Sequence, residues 1–376
     1  MAGGAGEVLV AASVILMAVA AFPYIYYLFG IRFGRKSGKV SIPSVLPCIS
    51  IIISAYNESG VIKRRIRNLA ESDYPKENYE VLFIDDCSTD DTGILAQEAF
   101  KESGMDFSFF SNSERKGTNR SYNLAIKKAR YEIIVTTDAN KFFREDTLKI
   151  LISRLVSDNA VAAVCAEVLP EPESYSENLA GLENIYRNFY GRMCDWESAV
   201  DSTYNFNGAL VAFKRGTVSS INERMGADDA NTAFEAIRKG FRAVYEIDAI
   251  VYEKIPPKVK KQYKQKIRRA KRLIEATLAN TDLLRVKRPF SKKFYPLRIM
   301  MYILCPSMFF TAGILFILGL FLINPLYSLG FIMIAGLFLL LFRKNIISAF
   351  ILNQFYLVIG LLNLRKDMRV WESTSV

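Results

Sequence analysis

Hydrophobic positions fall into three regimes along the chain. Residues 8–29 form an almost uncharged run, and residues 296–364 are predominantly apolar, with a short break at Arg343-Lys344. Runs of this length predict membrane segments at both ends. Between them, residues 48–55, 81–85, 133–137, 161–166 and 209–213 are short β-rich runs. Helical patterns over 61–70, 93–101 and 120–129 separate the early ones. Strand and helix alternating at this spacing predict an α/β domain with a mainly parallel sheet covered on both faces. In such sheets, ligands bind at the carboxyl ends of the strands.

A third pattern joins the domain to the C-terminal apolar block. Val259, Tyr263, Ile267, Ala270, Ile274 and Leu278 recur at helical steps, which places them on one face and Lys261, Gln265, Arg268 and Arg272 on the other. Residues 258–293 carry fourteen Lys or Arg against two acids, Glu275 and Asp282. No nucleic-acid recognition motif or aromatic stacking platform accompanies them, so nucleic acid is not the expected partner. An amphipathic helix lying in the membrane surface satisfies both faces. The expected organisation is an N-terminal anchor (1–37), a cytosolic domain (38–255), a basic interfacial segment (256–295) and C-terminal membrane segments with a tail (296–376).

The apolar share of 51 % and mean hydropathy of +0.14 agree with an integral membrane protein. No Lys or Arg precedes the first apolar run, whereas Arg32, Arg35, Lys36 and Lys39 follow it. By the positive-inside rule the central domain is then cytosolic. The C-terminal block divides into 296–323, 326–342 and 346–364. Three crossings from the cytosol would carry Arg365, Lys366 and Arg369 outward, against the rule. Ser348, Asn353 and Gln354 in the last segment also fit a re-entrant or interfacial course. The five cysteines form no CxxC pair, which argues against a zinc site and a disulfide framework. With no histidine in the chain, a general base must be a carboxylate, Lys or Tyr.

Acids and amides collect where the strands end. Tyr56-Asn57-Glu58 follows the first strand, Asp85-Asp86 the second, and Asp138-Ala139-Asn140 a later one; Asp228-Asp229 comes further on. Each has a structural alternative. Asp86, Ser88 and Asp90 are good caps for a helix starting near Thr92. Asp138 and Asn140 suit a turn, and Asp228 and Asp229 suit a helix first turn. Their convergence on one sheet edge favours a binding site.

The segments IIISAYNE (51–58), IDDCSTDD (84–91), TDAN (137–140), GALVAFKR (208–215), GADDANTAFEAIRKG (226–240) and QKIRR (265–269) resemble the inverting family 2 glycosyltransferases of GT-A fold. The similarity is to the membrane-integrated branch that contains hyaluronan, cellulose and chitin synthases and ceramide glucosyltransferase. The resemblance implies that Tyr56, Glu58 and Asp86 hold the nucleoside of a UDP- or GDP-sugar. Asp138 and Asn140 occupy the DxD positions that meet Mg²⁺ or Mn²⁺ and the diphosphate, with Lys116 nearby. It implies that Asp229, beside Asp228, is the catalytic base, and that Gln265 and Arg268 stand near the diphosphate. Trp196, Phe206 and Gly208 fall where relatives shape an acceptor pocket, although core packing is the commoner fate of aromatics.

Three positions depart from the family pattern: Asn140 replaces the second DxD acid, Thr118 stands where many relatives have a phosphate-facing Lys, and Arg269 replaces the aromatic of QxxRW. The last departure weighs against polymerisation. The expected function is transfer of one sugar onto a membrane lipid. A processive polysaccharide synthase and a non-catalytic membrane scaffold are the alternatives.

Overall fold

A computed structural model describes residues 2–171, 178–222, 228–254, 259–341 and 345–365. Helix α1 (Ala2–Phe33) precedes an alternation of β1 (Ile49–Ala55), α2 (Ile62–Ala70), β2 (Tyr79–Asp85), α3 (Thr92–Ser103), β3 (Phe107–Ser111), α4 (Thr118–Lys128) and β4 (Ile133–Asp138). Then come β5 (Lys141–Phe143), α5 (Thr147–Val156), β6 (Val161–Pro170), α6 (Asn178–Val200), β7 (Leu210–Lys214), α7 (Asp228–Arg238) and β8 (Arg242–Glu253). The sheet order is β3-β2-β1-β4-β7-β6-β8-β5. All strands but β7 and β5 point the same way, so the expected mainly parallel sheet is present. β1 and β2 are buried almost throughout, as strands covered on both faces must be.

Register brings the strand ends into line. Ala55 pairs with Asp85 and Ser54 with Asp138, so the loops after β1, β2 and β4 leave from one edge. The first two loops clasp each other: Asn57 N donates to Ser88 Oγ at 3.1 Å, and Thr89 N donates to Asn57 Oδ1 at 2.8 Å. Asn57 takes φ 53° to do so, a conformation that Asn tolerates better than most residues.

One face of the sheet packs on α2, α3 and α5; the core on the other face continues from α4, α6 and α7 into the apolar helices through Tyr27, Phe290, Phe294 and Met301. Those helices are α1, a continuous helix Phe290–Ile323 that includes α9 (Tyr295–Ile299) and α10 (Cys305–Ile323), α11 (Pro325–Leu341) and α12 (Ile346–Leu362). Residues 4–33 and 290–323 are each long and apolar enough to cross a bilayer; α11 and α12 are shorter. α1 and α10 lie antiparallel and close, since a Cβ on Gly6 would stand 2.8 Å from the Gly319 carbonyl oxygen.

Helix α8 (Val259–Ala279) is where the amphipathic reading needs correction. Its apolar stripe does not lie bare: Ile267, Ala270 and Ile274 are buried. Gly360 of α12 sits against Ala270, and the Tyr263 ring lies 6.0 Å from that of Tyr356. Among the described residues of the stripe, Tyr263 and Leu278 are the exposed ones. A stripe at this period cannot distinguish lipid from a neighbouring helix, because both reward the same burial.

Candidate active site

The aligned strand ends open into one cavity of about 1070 Å³. Tyr56, Glu58, Asp86, Lys116, Asp138, Asn140, Phe206, Gly208, Asp229, Gln265 and Arg268 all line it. Asp228 heads α7, but its side chain lies outside the described residues.

Asp86 is 3 % exposed and held on both oxygens. Oδ1 accepts from Asn112 Nδ2 at 2.8 Å and Lys116 N at 2.9 Å, and Oδ2 accepts from Gly117 N at 2.8 Å. Its carboxylate thus fixes the loop that leads into α4, where Gly117 adopts φ 86°, a value suited to glycine. The loop in turn presents Arg115, whose guanidinium stacks 3.7 Å over the Tyr56 ring. Asp91 is the N-cap of α3 and makes no side-chain cap bond, while Asp90, one residue earlier, accepts from Thr92 N at 3.1 Å in a local turn. The capping alternative therefore does not hold for Asp86.

Asp138 ends β4 with its side chain 40 % exposed. Behind it, burial lowers Arg65 to about 9 while the Asp138 carboxylate opposes that shift. Asn140 is engaged at both ends: Nδ2 donates to Glu58 Oε1 at 3.1 Å, and Oδ1 accepts from Lys141 Nζ at 2.8 Å. This is a departure from the expected pair of metal ligands. Asp138 offers the hard oxygen that Mg²⁺ or Mn²⁺ takes, whereas the Asn140 oxygen already serves an ammonium. Among the described residues no group of three His, Cys, Asp or Glu is arranged to hold a metal ion. An ion at Asp138 would draw its other ligands from the diphosphate and water, as magnesium sites commonly do.

One wall of the cavity escaped the sequence reading. Glu253, at the end of β8, meets Lys141 Nζ at 3.1 Å, Arg269 Nη2 at 2.7 Å and an Arg187 Nη. Burial alone would raise its carboxyl, but Arg269, Lys141 and Arg187 together hold it well below the ordinary range. Arg269, the residue in place of the family's aromatic, is therefore built into this wall. Glu167 on β6 also lines the cavity. Burial raises it to about 7 against the opposing effects of a Tyr245 hydrogen bond and the Arg187 charge.

The acceptor-side expectations divide. Phe206 and Gly208 do line the cavity, and a Cβ at Gly208 would meet no atom within 4 Å. Trp196 is elsewhere. Its ring packs on α1, with centroids 5.4 Å from Tyr26 and 5.1 Å from Phe294. A Cβ on Gly30 would come 2.2 Å from the indole, so this tryptophan docks the N-terminal helix onto the domain and cannot reach the site. Tyr302 and, from α12, Asn353, Tyr356 and Leu357 also line the cavity.

Comparisons with known proteins agree with this fold. Residues 50–211 match the family described as Glycosyl transferase family 2, and residues 133–351 match Glycosyl transferase family group 2. The poly-beta-1,6-N-acetyl-D-glucosamine synthase of Staphylococcus aureus is 25 % identical over 302 residues, covering 79 % of this chain and 70 % of the relative. An N-acetylglucosaminyltransferase of Rhizobium meliloti is 24 % identical over 65 % of this chain and 60 % of its own length. Among solved structures, the mannosyltransferase PcManGT from Pyrobaculum calidifontis in complex with GDP-Man and Mn²⁺ superposes with a TM-score of 0.81 at 25 % identity, over 96 % of this chain and 99 % of that one. With its strand-end acids on a mainly parallel α/β sheet and family matches that together span most of the described chain, this protein belongs to the family 2 glycosyltransferases of GT-A fold.

Proposed function

We propose that the enzyme moves one sugar from a nucleoside-diphosphate sugar onto a membrane lipid, with inversion, at the cytosolic face of a membrane. The observation that carries this reading is the continuity of one cavity from the strand-end acids to the apolar helices, so that Asp138 and Leu357 line the same space. The GDP-Man and Mn²⁺ bound by the structural neighbour favour a nucleotide-sugar donor here, with GDP-mannose the first to test.

In this mechanism Tyr56, Glu58 and the loop held by Asp86 seat the nucleoside. Gln265, Arg268 and the cationic wall around Glu253 seat the diphosphate. Asp229 takes the proton of the acceptor hydroxyl as its oxygen attacks the anomeric carbon from the face opposite the diphosphate. The new C–O bond forms as the bond to the diphosphate breaks, and the nucleoside diphosphate leaves with that electron pair. A divalent ion held by Asp138 would neutralise charge on the leaving group.

The helices suggest a route for the lipid. Residues 4–33, α10 and α11 would span, while α12 lies along α8 and lines the cavity. A non-spanning α12 keeps Arg365 on the cytosolic side and removes the conflict with the positive-inside rule. The acceptor would enter between α8 and α12.

A second reading, processive polysaccharide synthesis, has the Staphylococcus aureus relative in its favour. Against it stands Arg269, committed to Glu253 at 2.7 Å where the processive pattern has an aromatic. The base assignment is tested by Asp229→Asn. Transfer should fall by about 100-fold or more while nucleotide affinity stays within about threefold; unchanged turnover would remove Asp229 from the role.

A further inference from the structure

Lys141 has surroundings unusual for a lysine. It is 6 % exposed, it lines the cavity, and its Nζ donates to Asn140 Oδ1 at 2.8 Å. Glu253 Oε1 is 3.1 Å away and Asp138 Oδ2 is 3.9 Å away. Strand pairing fixes this placement, since Lys141 and Glu253 stand directly opposite each other in β5 and β8. A buried ammonium needs compensation, yet Glu253 is shared with Arg187 and Arg269. Among the described contacts two carboxylates, Glu253 and the more distant Asp138, therefore face three cations.

The identity of residue 140 now has a physical meaning. An aspartate there would form a close ion pair with Lys141 and cancel its charge. The amide oxygen of Asn140 holds the ammonium in place and leaves the charge available to an anion. The same oxygen cannot bond to Lys141 and to a divalent ion at full strength.

Resting on the reading of this cavity as a nucleoside-diphosphate site, we propose that Lys141 is a resident cation of the diphosphate subsite. It holds part of the diphosphate charge without a divalent ion, and it competes with such an ion for Asn140 Oδ1. Donor binding then has two separable parts, one carried by Lys141 and the other by an ion at Asp138.

Calorimetric titration of the full-length protein in detergent with GDP and with UDP, each in Mn²⁺ and in EDTA, tests this. Wild-type protein should bind one of the nucleotides under both conditions. Lys141→Met should weaken binding in EDTA by about tenfold or more and binding in Mn²⁺ by less than about threefold. Asn140→Asp should reproduce the loss in EDTA with the lysine still present, and Lys141→Arg should restore binding. Glu253 keeps Arg187 and Arg269 when Lys141 is removed, which preserves the buried wall. Wild-type binding that vanishes in EDTA overturns the resident cation and leaves the donor reading standing, whether or not the variants fold. Equal losses in the two conditions overturn it as well. If neither nucleotide binds under either condition, the donor reading itself falls and takes this inference with it.

Discussion

Two buried carboxylates show how this molecule separates charge that is balanced inside the fold from charge that faces the cavity. Glu197 on α6 is 1 % exposed and, among the described residues, meets one cation, Arg298, at 2.7 Å. Its remaining capacity is filled by the hydroxyls of Tyr27 and Thr203. Arg298 is fully buried, donates to Tyr302 Oη at 2.8 Å, and lies under the Tyr27 and Tyr190 rings. Charge is balanced within a closed group that ties α1 and the Phe290–Ile323 helix to α6. Glu253 is equally buried but meets three cations and lines the cavity. A balanced pair has nothing left to attract a ligand, whereas a surplus of cations beside an open space is a site for an anion.

The sharpest way to break this contrast is to remove Arg298. Arg298→Met leaves Glu197 buried with no counter-charge and should cost about 3–5 kcal/mol of stability. Thermal unfolding in detergent would record it, and nucleotide affinity of the folded fraction should not change. A parallel loss of affinity would mean that the two regions are not separate.

Glu167 supplies an intermediate case, a buried carboxylate whose nearby charges do not offset its burial. Its folded value of about 7 exceeds its ordinary 4.5. The folded state therefore binds the extra proton between those values, and this group's contribution to stability declines as pH rises through that window. Glu167→Gln should remove the decline. Relative to wild type, the variant should gain at most about 3 kcal/mol at pH 8 over its position at pH 4.5. Unfolding midpoints of both proteins across that range check the sign; parallel profiles would contradict it.

The smallest effect is expected from the wall itself. Arg269 is about half exposed and Glu253 keeps two other cations, so Arg269→Gln should cost less than about 1 kcal/mol of stability. Nucleoside-diphosphate affinity should fall about threefold, and its dependence on salt should weaken. A large stability loss without an affinity change would make the wall structural, like the Glu197 group.

The edge where the acids gather was legible in the sequence because buried parallel strands read as unbroken β-rich runs, and an acid that ends such a run marks the carboxyl edge. Asp85, Asp138 and Glu58 could be placed from that pattern alone; strand register confirms the first two, and Glu58 follows in the loop after β1. The cationic wall was not legible. β5 has three residues, and β8 mixes Arg, Glu and Asp with its apolar positions. The pairing of Lys141 with Glu253 joins positions far apart in the chain, so no local pattern announces it. Trp196 was misplaced because composition gives an aromatic no direction, and only the closeness of its ring to Gly30 of α1 and to Gly34 just beyond it reveals what the ring needs. Apolar runs likewise left open whether α12 meets lipid or protein; its packing on α8 is a long-range fact.

The central claim is transfer of one sugar to a membrane lipid, and product analysis reaches it directly. Purified protein in bilayers would be incubated with labelled GDP-mannose or UDP-sugars and Mn²⁺, and the products extracted into organic solvent. The account predicts a discrete labelled lipid that is absent with Asp229→Asn. Label appearing instead as a water-soluble ladder of increasing length would contradict it.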